Sequence, residues 1–287
     1  MLHSKLFNPK YFPTGALLPI RIPLNSIGSV VEKKQSIGGF HKEIGELTET
    51  TVGPLTISAS PEDKEKMFAF VTKGKSGLIV FGRKGLTNFA ETDVELLSEA
   101  EVKKQFPDAT AGVNAKCSEQ LFKLMCAGTH ADNQHFESVV TNILLAPKPQ
   151  VAKAACLKLE PFNSEYWDSL SPQAMYQATI LRCTHKKSFD MFKQCLSKLR
   201  ETGVETFTVI EANDDDKWGI NRFTKPFLAD LCKNATEEED LIATATKLFD
   251  GKNQLGTVLT DFMLVIEGVE YEDYMAALEG VKFVEVV

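Results

Sequence analysis

Two short apolar runs do most to restrict how this chain can fold. GLIVFG, Gly77 to Gly82, is bounded by glycines and has the length of a buried strand. ETFTVIEA alternates Phe207 and Val209 against Thr206, Thr208 and Ile210, the two-residue period of a strand. The segments between and after them carry helical spacing instead. CSEQLFKLMCAG predicts a short, mostly buried helix capped by Ser118 and stopped at Gly128. Ser171 followed by Pro172 reads as another helix start, and Ser188 to Gly203 carries Phe189, Phe192, Cys195, Leu196 and Leu199 on one face. Glu239 to Leu248 is amphipathic, and a last helix is expected from Asn253 with Leu255, Val258, Leu259, Phe262, Met263 and Ile266 as its stripe. This pattern predicts an α+β protein, predominantly helical, with a few short strands.

Residues 1–75 differ in texture. They mix Pro, Gly, Ser and Thr with β-type runs such as SVVE and GPLTISAS, and predict an irregular, β-rich N-terminal extension. The expected division is therefore an extension over 1–75 and one domain over 76–287, with an insertion at about 222–250.

Charge narrows the partners. The chain holds 32 Lys and Arg against 39 Asp and Glu, a net charge of −7. Such a body does not grip nucleic-acid backbone over many phosphates, so an anionic ligand, including any modified nucleic acid, must be held locally by a pocket. The N-terminal stretch MLHSKLFNPKYFPTGALLPIRIP is broken by prolines and lysines and makes neither a signal segment nor a membrane span, so a cytoplasmic protein without membrane contact is expected. The six cysteines show no C-x-x-C pair, which argues against structural zinc and against a disulfide framework; packed, reduced thiols are the expectation. Oligomeric state is not legible.

Standard catalytic signatures are absent. The chain contains no G-x-S-x-G elbow, no G-x-x-x-x-G-K-[ST] loop, no G-x-G-x-x-G fingerprint and no H-E-x-x-H pair. What stands out is a scattered series: Thr87-Asn88-Phe89, Ser118-Glu119-Gln120-Leu121-Phe122, Trp167, the loop from Glu211 through Asp215 to Trp218-Gly219, and Gly251-Lys252-Asn253-Gln254-Leu255-Gly256. In that order, over about residues 76–268, these pieces resemble the NADAR family, whose pattern is S-N-F, an S-E-H-x-F-Q-like helix start, a tryptophan, E-x-x-x-D-x-x-W-G and G-x-N-x-L-G.

The resemblance implies an N-glycosidase of mostly helical α+β fold that needs no metal and no cofactor. Members act on phosphoribosylated pyrimidine intermediates of riboflavin synthesis or release ADP-ribose from ADP-ribosylated guanine. It implies Glu119 as the catalytic carboxylate and Asp215 as a second acid or base or a holder of ribose hydroxyls. Asn88, Phe89, Trp167, Trp218, Gly219 and Asn253 are implied as substrate contacts, with Lys84 an added candidate for phosphate. The residue types suit this chemistry, because cleavage of a ribosyl C–N bond builds positive charge that a carboxylate stabilises while orienting water.

Simpler roles compete at each position. Glu119 in a first turn also gains from the helix dipole. Asp215 caps a turn as readily as Asp214 and Asp216, which read as solvated, and either tryptophan can be a core anchor. Asn88 is equally an ordinary turn residue. Asn253 is a natural N-cap, while the same helix N-terminus, with Lys252 near, would suit a phosphate.

Two positions depart from the family pattern. Cys126 stands where many members have a lysine, and Cys156 with Leu157 stands where Gly-Arg is usual; Lys123, Lys158 and Lys84 are candidate substitutes. With that basic clamp missing and extra elements present, an ADP-ribosylated nucleobase or nucleotide is expected over a riboflavin intermediate. A non-catalytic ADP-ribose-binding module is the alternative from another class, and a purely structural protein the third.

Overall fold

The computed structural model describes residues 1–33, 44–60, 67–82, 85–159 and 162–287. In chain order the elements are α1 (Leu2–Leu6), β1 (Ile20–Ile22), α2 (Leu24–Lys33), β2 (Thr48–Val52), β3 (Leu55–Ala59), β4 (Phe68–Lys73), β5 (Ser76–Phe81) and β6 (Glu91–Leu97). They continue with α3 (Glu99–Lys103), β7 (Val113–Cys117), α4 (Ser118–Gly128), α5 (Phe136–Leu144), α6 (Pro149–Ala155), a 3-10 turn (Cys156–Lys158), α7 (Ser164–Arg182) and α8 (Lys186–Glu201). The last are β8 (Thr206–Glu211), α9 (Thr224–Asn234), α10 (Leu241–Thr246), α11 (Gln254–Ile266), α12 (Tyr271–Ala277) and β9 (Val284–Val286). The fold is α+β with more helix than strand, as the apolar patterning predicts. Among the described residues no helix is long and apolar enough to cross a membrane.

The chain divides into two compact units, one from Met1–Phe40, Glu91–Phe189 and Val269–Val287, the other from His41–Ala90 and Asp190–Gly268. Residues 1–75 are shared between them.

The second unit is built on a five-stranded sheet in the order β2-β3-β4-β5-β8. The first four strands are antiparallel and β8 joins β5 in parallel, with Ile79 opposite Val209. The two runs that restrict the fold are therefore sheet neighbours. One sheet face sets Val71, Leu78, Val80 and Ile210 into a core with Phe227, Leu228 and Leu231 of α9 and Leu241 and Ala245 of α10. The segment expected as an insertion is thus one layer of this unit, and burying several such side chains at about 1.5–3 kcal/mol each fixes it there. On β8 lies α11, where Phe262 meets Phe192 of α8 edge-on at 5.6 Å.

The first unit is arranged around α4, on which every residue except Lys123 is buried. It packs against α5, α6, α7, β1 and β7. Gly128 ends α4 where an added Cβ would stand 2.2 Å from the Pro19 carbonyl oxygen, so only glycine fits. Beside α4 the short strands β6 and β7 pair antiparallel, and β1 pairs β9 in parallel.

Several local readings need correction. SVVE lies inside α2, whose Ile27 and Val30 are buried at helical spacing; the segment is too short for its β-branched residues to outweigh that packing. Cys117, with extended backbone, precedes α4, so Ser118 is the first helical residue and not its cap. The helix expected from Ser171 begins at Ser164, capped by Asn163, whose side-chain oxygen accepts the Tyr166 amide at 2.9 Å. Pro172 then sits in mid-helix, where it cannot donate to the carbonyl four residues back. The Ser171 hydroxyl donates to that carbonyl, of Asp168, at 3.0 Å, supplying the missing bond.

Candidate functional site

The residues singled out by sequence fall into two groups, one in each unit. In the first unit β7 runs directly into α4, which puts Glu119 in the opening turn of a nearly fully buried helix. The residue is 6% exposed. One turn on, the Lys123 ammonium lies 3.8 Å from the Glu119 carboxylate and 4.9 Å above the Phe122 ring, so the cation both neutralises the acid and covers an aromatic face. Sequence reading named both residues without pairing them, although glutamate four positions before lysine on a helix is the signal. Gln120 holds the turn in place: its side-chain oxygen accepts the Lys116 amide at 2.6 Å and its nitrogen donates to the Ile143 carbonyl at 2.9 Å. Burial pushes the Cys117 thiol up to about 12, with the nearby Glu119 charge adding to it.

Trp167 is 6% exposed and packs its ring 5.0 Å from Phe122, the position of a core side chain behind Glu119's helix. Lys123 is tied to Glu119, Lys158 is exposed, and Lys84 lies outside the described residues.

In the second unit β8 ends at Glu211, and the chain forms a loop closed by the Ile220 amide donating to the Glu211 carbonyl at 3.0 Å. Asp215 organises this loop. Its Oδ1 accepts the amides of Lys217 at 3.0 Å and Trp218 at 2.8 Å, and its carbonyl accepts those of Gly219 and Asn221. Asp214 and Asp216 are exposed, as expected of solvated turn residues. The half-buried Trp218 indole has the Lys217 ammonium 5.5 Å from it. Gly219 is required, since an added Cβ would stand 1.9 Å from the Asn213 side-chain oxygen and 2.8 Å from the Glu211 carbonyl oxygen.

Asn253 does not cap α11. It adopts the left-handed conformation (φ 51°), and its carboxamide accepts from the Glu211 amide at 3.0 Å and donates to the Val209 carbonyl at 2.9 Å. The amides expected to meet a phosphate are used by the loop. Lys252 donates to Asp216, Asn253 to Gly219, Gln254 to Lys217 and Leu255 to Trp218, at 2.8–3.2 Å. Loop and helix start are thus laced together, which excludes both the cap and the phosphate reading of those amides. Gly251 allows the contact, as a Cβ there would stand 2.6 Å from the Gly219 carbonyl oxygen.

Asn88 and Phe89 occupy a turn after β5, stabilised by the Ala90 amide on the Thr87 carbonyl at 3.0 Å. Asn88 is 9% exposed, and among the described residues its carboxamide has no hydrogen-bond partner.

A model of the NADAR domain matches residues 83–263. The chain belongs to the NADAR family. Membership is consistent with a glycosidase-type enzyme. No curated protein matches the chain closely enough to serve as a relative. Within this NADAR chain the D-x-x-W-G and G-x-N-x-L-G motifs largely hold each other: Asp215 shapes the loop, and Asn253 fixes it to β8. Among the described residues no group of three or more His, Cys, Asp or Glu could hold a metal ion.

Proposed function

We propose that this NADAR protein hydrolyses a ribosyl–base N-glycosidic bond, with Glu119 as the catalytic carboxylate. The observation that carries the reading is a carboxylate 6% exposed, at the family's S-E helix start, with a cation 3.8 Å away. Burying a charged acid is unfavourable unless something compensates it, and a lysine one turn along does so. In the reaction the C1′–N bond breaks with its electron pair leaving on the base, and water adds its oxygen to C1′. Glu119 stabilises the positive charge on the ribosyl carbon, takes the water's proton and passes it on to the departing base.

An ADP-ribosylated nucleobase or nucleotide is the preferred substrate class over a phosphoribosylated aminopyrimidine. The motif positions that the family fills with basic residues are Cys126 and Leu157 here, and Lys123 is committed to Glu119. A compact phosphomonoester beside α4 would find few cations. Asn88, Phe89 and Trp218 keep the ligand-contact role that the resemblance implies, and cytoplasmic location is part of the same reading.

The test uses purified protein with ADP-ribosyl-guanosine and, separately, an aminopyrimidine ribosyl phosphate, with base release followed by chromatography. Release from the first and not the second supports the proposal; the reverse replaces its substrate class. Glu119→Gln keeps the shape of the side chain and should lower turnover by about 10²–10⁴-fold while ADP-ribose still binds. Binding without turnover in the parent protein would make this a ligand-binding module.

A further inference from the structure

The first unit carries a cleft of about 790 Å³ whose lining includes none of the residues assigned above to catalysis or ligand contact. Three segments line it: the end of α7 through the start of α8, α12 with the chain that follows it to Phe283, and β6, which contributes Asp93 and Glu95. The helix α12 is fastened to α7. The Tyr274 hydroxyl donates to the Ile180 carbonyl at 2.6 Å and the Tyr271 hydroxyl to the Thr184 carbonyl, while the Phe189 ring lies 5.1 Å from Tyr274 and 5.5 Å from Tyr271. On β6, Asp93 is held by Lys116 and accepts from the Asn114 carboxamide at 2.7 Å. The cleft is thus built by the protein's own contacts, and its volume falls among small-molecule sites, about 300–1,000 Å³. Because α12 and Phe283 lie beyond the stretch 83–263 that matches the NADAR domain, this cleft is not a feature of the matched domain alone.

The lining has two chemical characters. Leu181, Tyr271, Met275, Leu278, Val281 and Phe283 supply apolar surface, and Met275 is 37% exposed. The charge beside that surface is acidic. Glu95 and Glu279 are exposed, and among the described residues neither makes a side-chain hydrogen bond or an ion pair. Residues 269–287, which form one side, hold five Asp and Glu against one Lys. His185 also lines the cleft, and its Nδ1 is buried without a hydrogen-bond partner among the described residues. The Lys186 ammonium lies 5.2 Å over the Tyr271 ring, so an aromatic face in this lining already receives a cation.

We infer that this cleft binds a small organic cation, an amine or guanidine carried on an apolar body. The apolar body covers the Met275 and Phe283 surface, and the positive end meets the carboxylates of Glu95 and Glu279, which the protein leaves uncompensated. An anion of the same shape would meet those carboxylates unfavourably, and a neutral ligand would gain nothing from them. The site does not rest on the glycosidase reading.

The experiment titrates the full chain with phenethylammonium chloride at low salt and follows the methionine methyl groups by nuclear magnetic resonance, with Met275 assigned by the signal lost in Met275→Leu. Phenylpropionate and benzyl alcohol are the anionic and neutral controls. The expected result is a saturable shift of the Met275 methyl with the amine, little response to either control, and weaker binding as salt rises. Glu95→Gln combined with Glu279→Gln should weaken amine binding about three- to tenfold. Both positions are exposed, so the fold tolerates the changes. Absence of a saturable shift at Met275, equal binding of the carboxylate, or unchanged affinity in the double variant would overturn the inference. So would binding of an acetylated Leu-Lys-Leu amide when the amine itself fails to bind, since the cleft would then serve a basic segment of a partner protein.

Discussion

Asn253 reaches across from the turn before α11 and bridges β8, accepting the Glu211 amide at 3.0 Å and donating to the Val209 carbonyl at 2.9 Å. A carboxamide has one accepting and one donating end, so one side chain satisfies two backbone groups of a strand that has run out of neighbours on that side. Asn253→Ala should destabilise the protein by about 3 kcal/mol, because both groups are left buried without a partner. Asn253→Gly should recover about 1 kcal/mol of that by relieving the left-handed backbone while restoring neither bond. Denaturant unfolding measures both, and an alanine variant that loses less than about 1 kcal/mol would contradict the bridge.

Gly256 tests how closely α11 approaches the same strand. An added Cβ would stand 2.1 Å from the Val209 carbonyl oxygen. Helix propensity alone makes alanine better than glycine by about 1 kcal/mol, whereas overpacking costs about 1–3 kcal/mol or more. Gly256→Ala is therefore expected to lower the unfolding midpoint. A raised midpoint would mean that the helix moves aside freely.

Asp215 separates loop-building from chemistry. Its Oδ1 already accepts two amides, of Lys217 and Trp218. Asp215→Asn keeps an accepting oxygen and should leave stability nearly unchanged, while Asp215→Ala should lose about 1–2 kcal/mol, as loss of a capping side chain does. Turnover is then measured on the asparagine variant. Unchanged activity makes Asp215 a positioning residue only; a fall of more than about tenfold with intact stability supports its proposed acid–base role.

Glu267 and Arg200 give a pH-dependent term. The guanidinium donates through two nitrogens to the carboxylate, at 2.6 and 2.9 Å, and these bonds hold Glu267 below the ordinary carboxylate range. A carboxylate lowered in the folded state contributes stability above its unfolded pKa and loses it as pH falls through the folded value. Glu267→Gln should thus be less stable than the parent near about pH 7, by less than about 1 kcal/mol for so exposed a pair, and equal to it near about pH 3. Thermal melts at both pH values check this; a gap that widens in acid would reverse the assignment.

Some of this was legible in the residues. The strands β5 and β8, the helix α4 and the apolar stripe of α11 follow from short-range period, and the ordered pieces from Asn88 to Gly256 pointed to the family. The start of α7 is hidden in the sequence because Ser171-Pro172 is a good local helix start, whereas the Ser171 hydroxyl on the Asp168 carbonyl lets the helix pass through it. Helix α9 is not legible in the sequence because its apolar residues acquire meaning only against the sheet they cover.

The sequence by itself determined the strands β5 and β8, the helix α4 and the stripe of α11, which carboxylate stands at the family's helix start, and that the chain is acidic. Those properties depend on neighbours a few residues away and on composition. Tertiary structure alone decided that β5 and β8 are parallel partners, that the helix-start amides at 252–255 serve the 215–219 loop, and that Asn253 is a bridge and not a cap. Each of these joins groups distant along the chain, and such pairing depends on where packing brings backbones and side chains together, which no local pattern encodes.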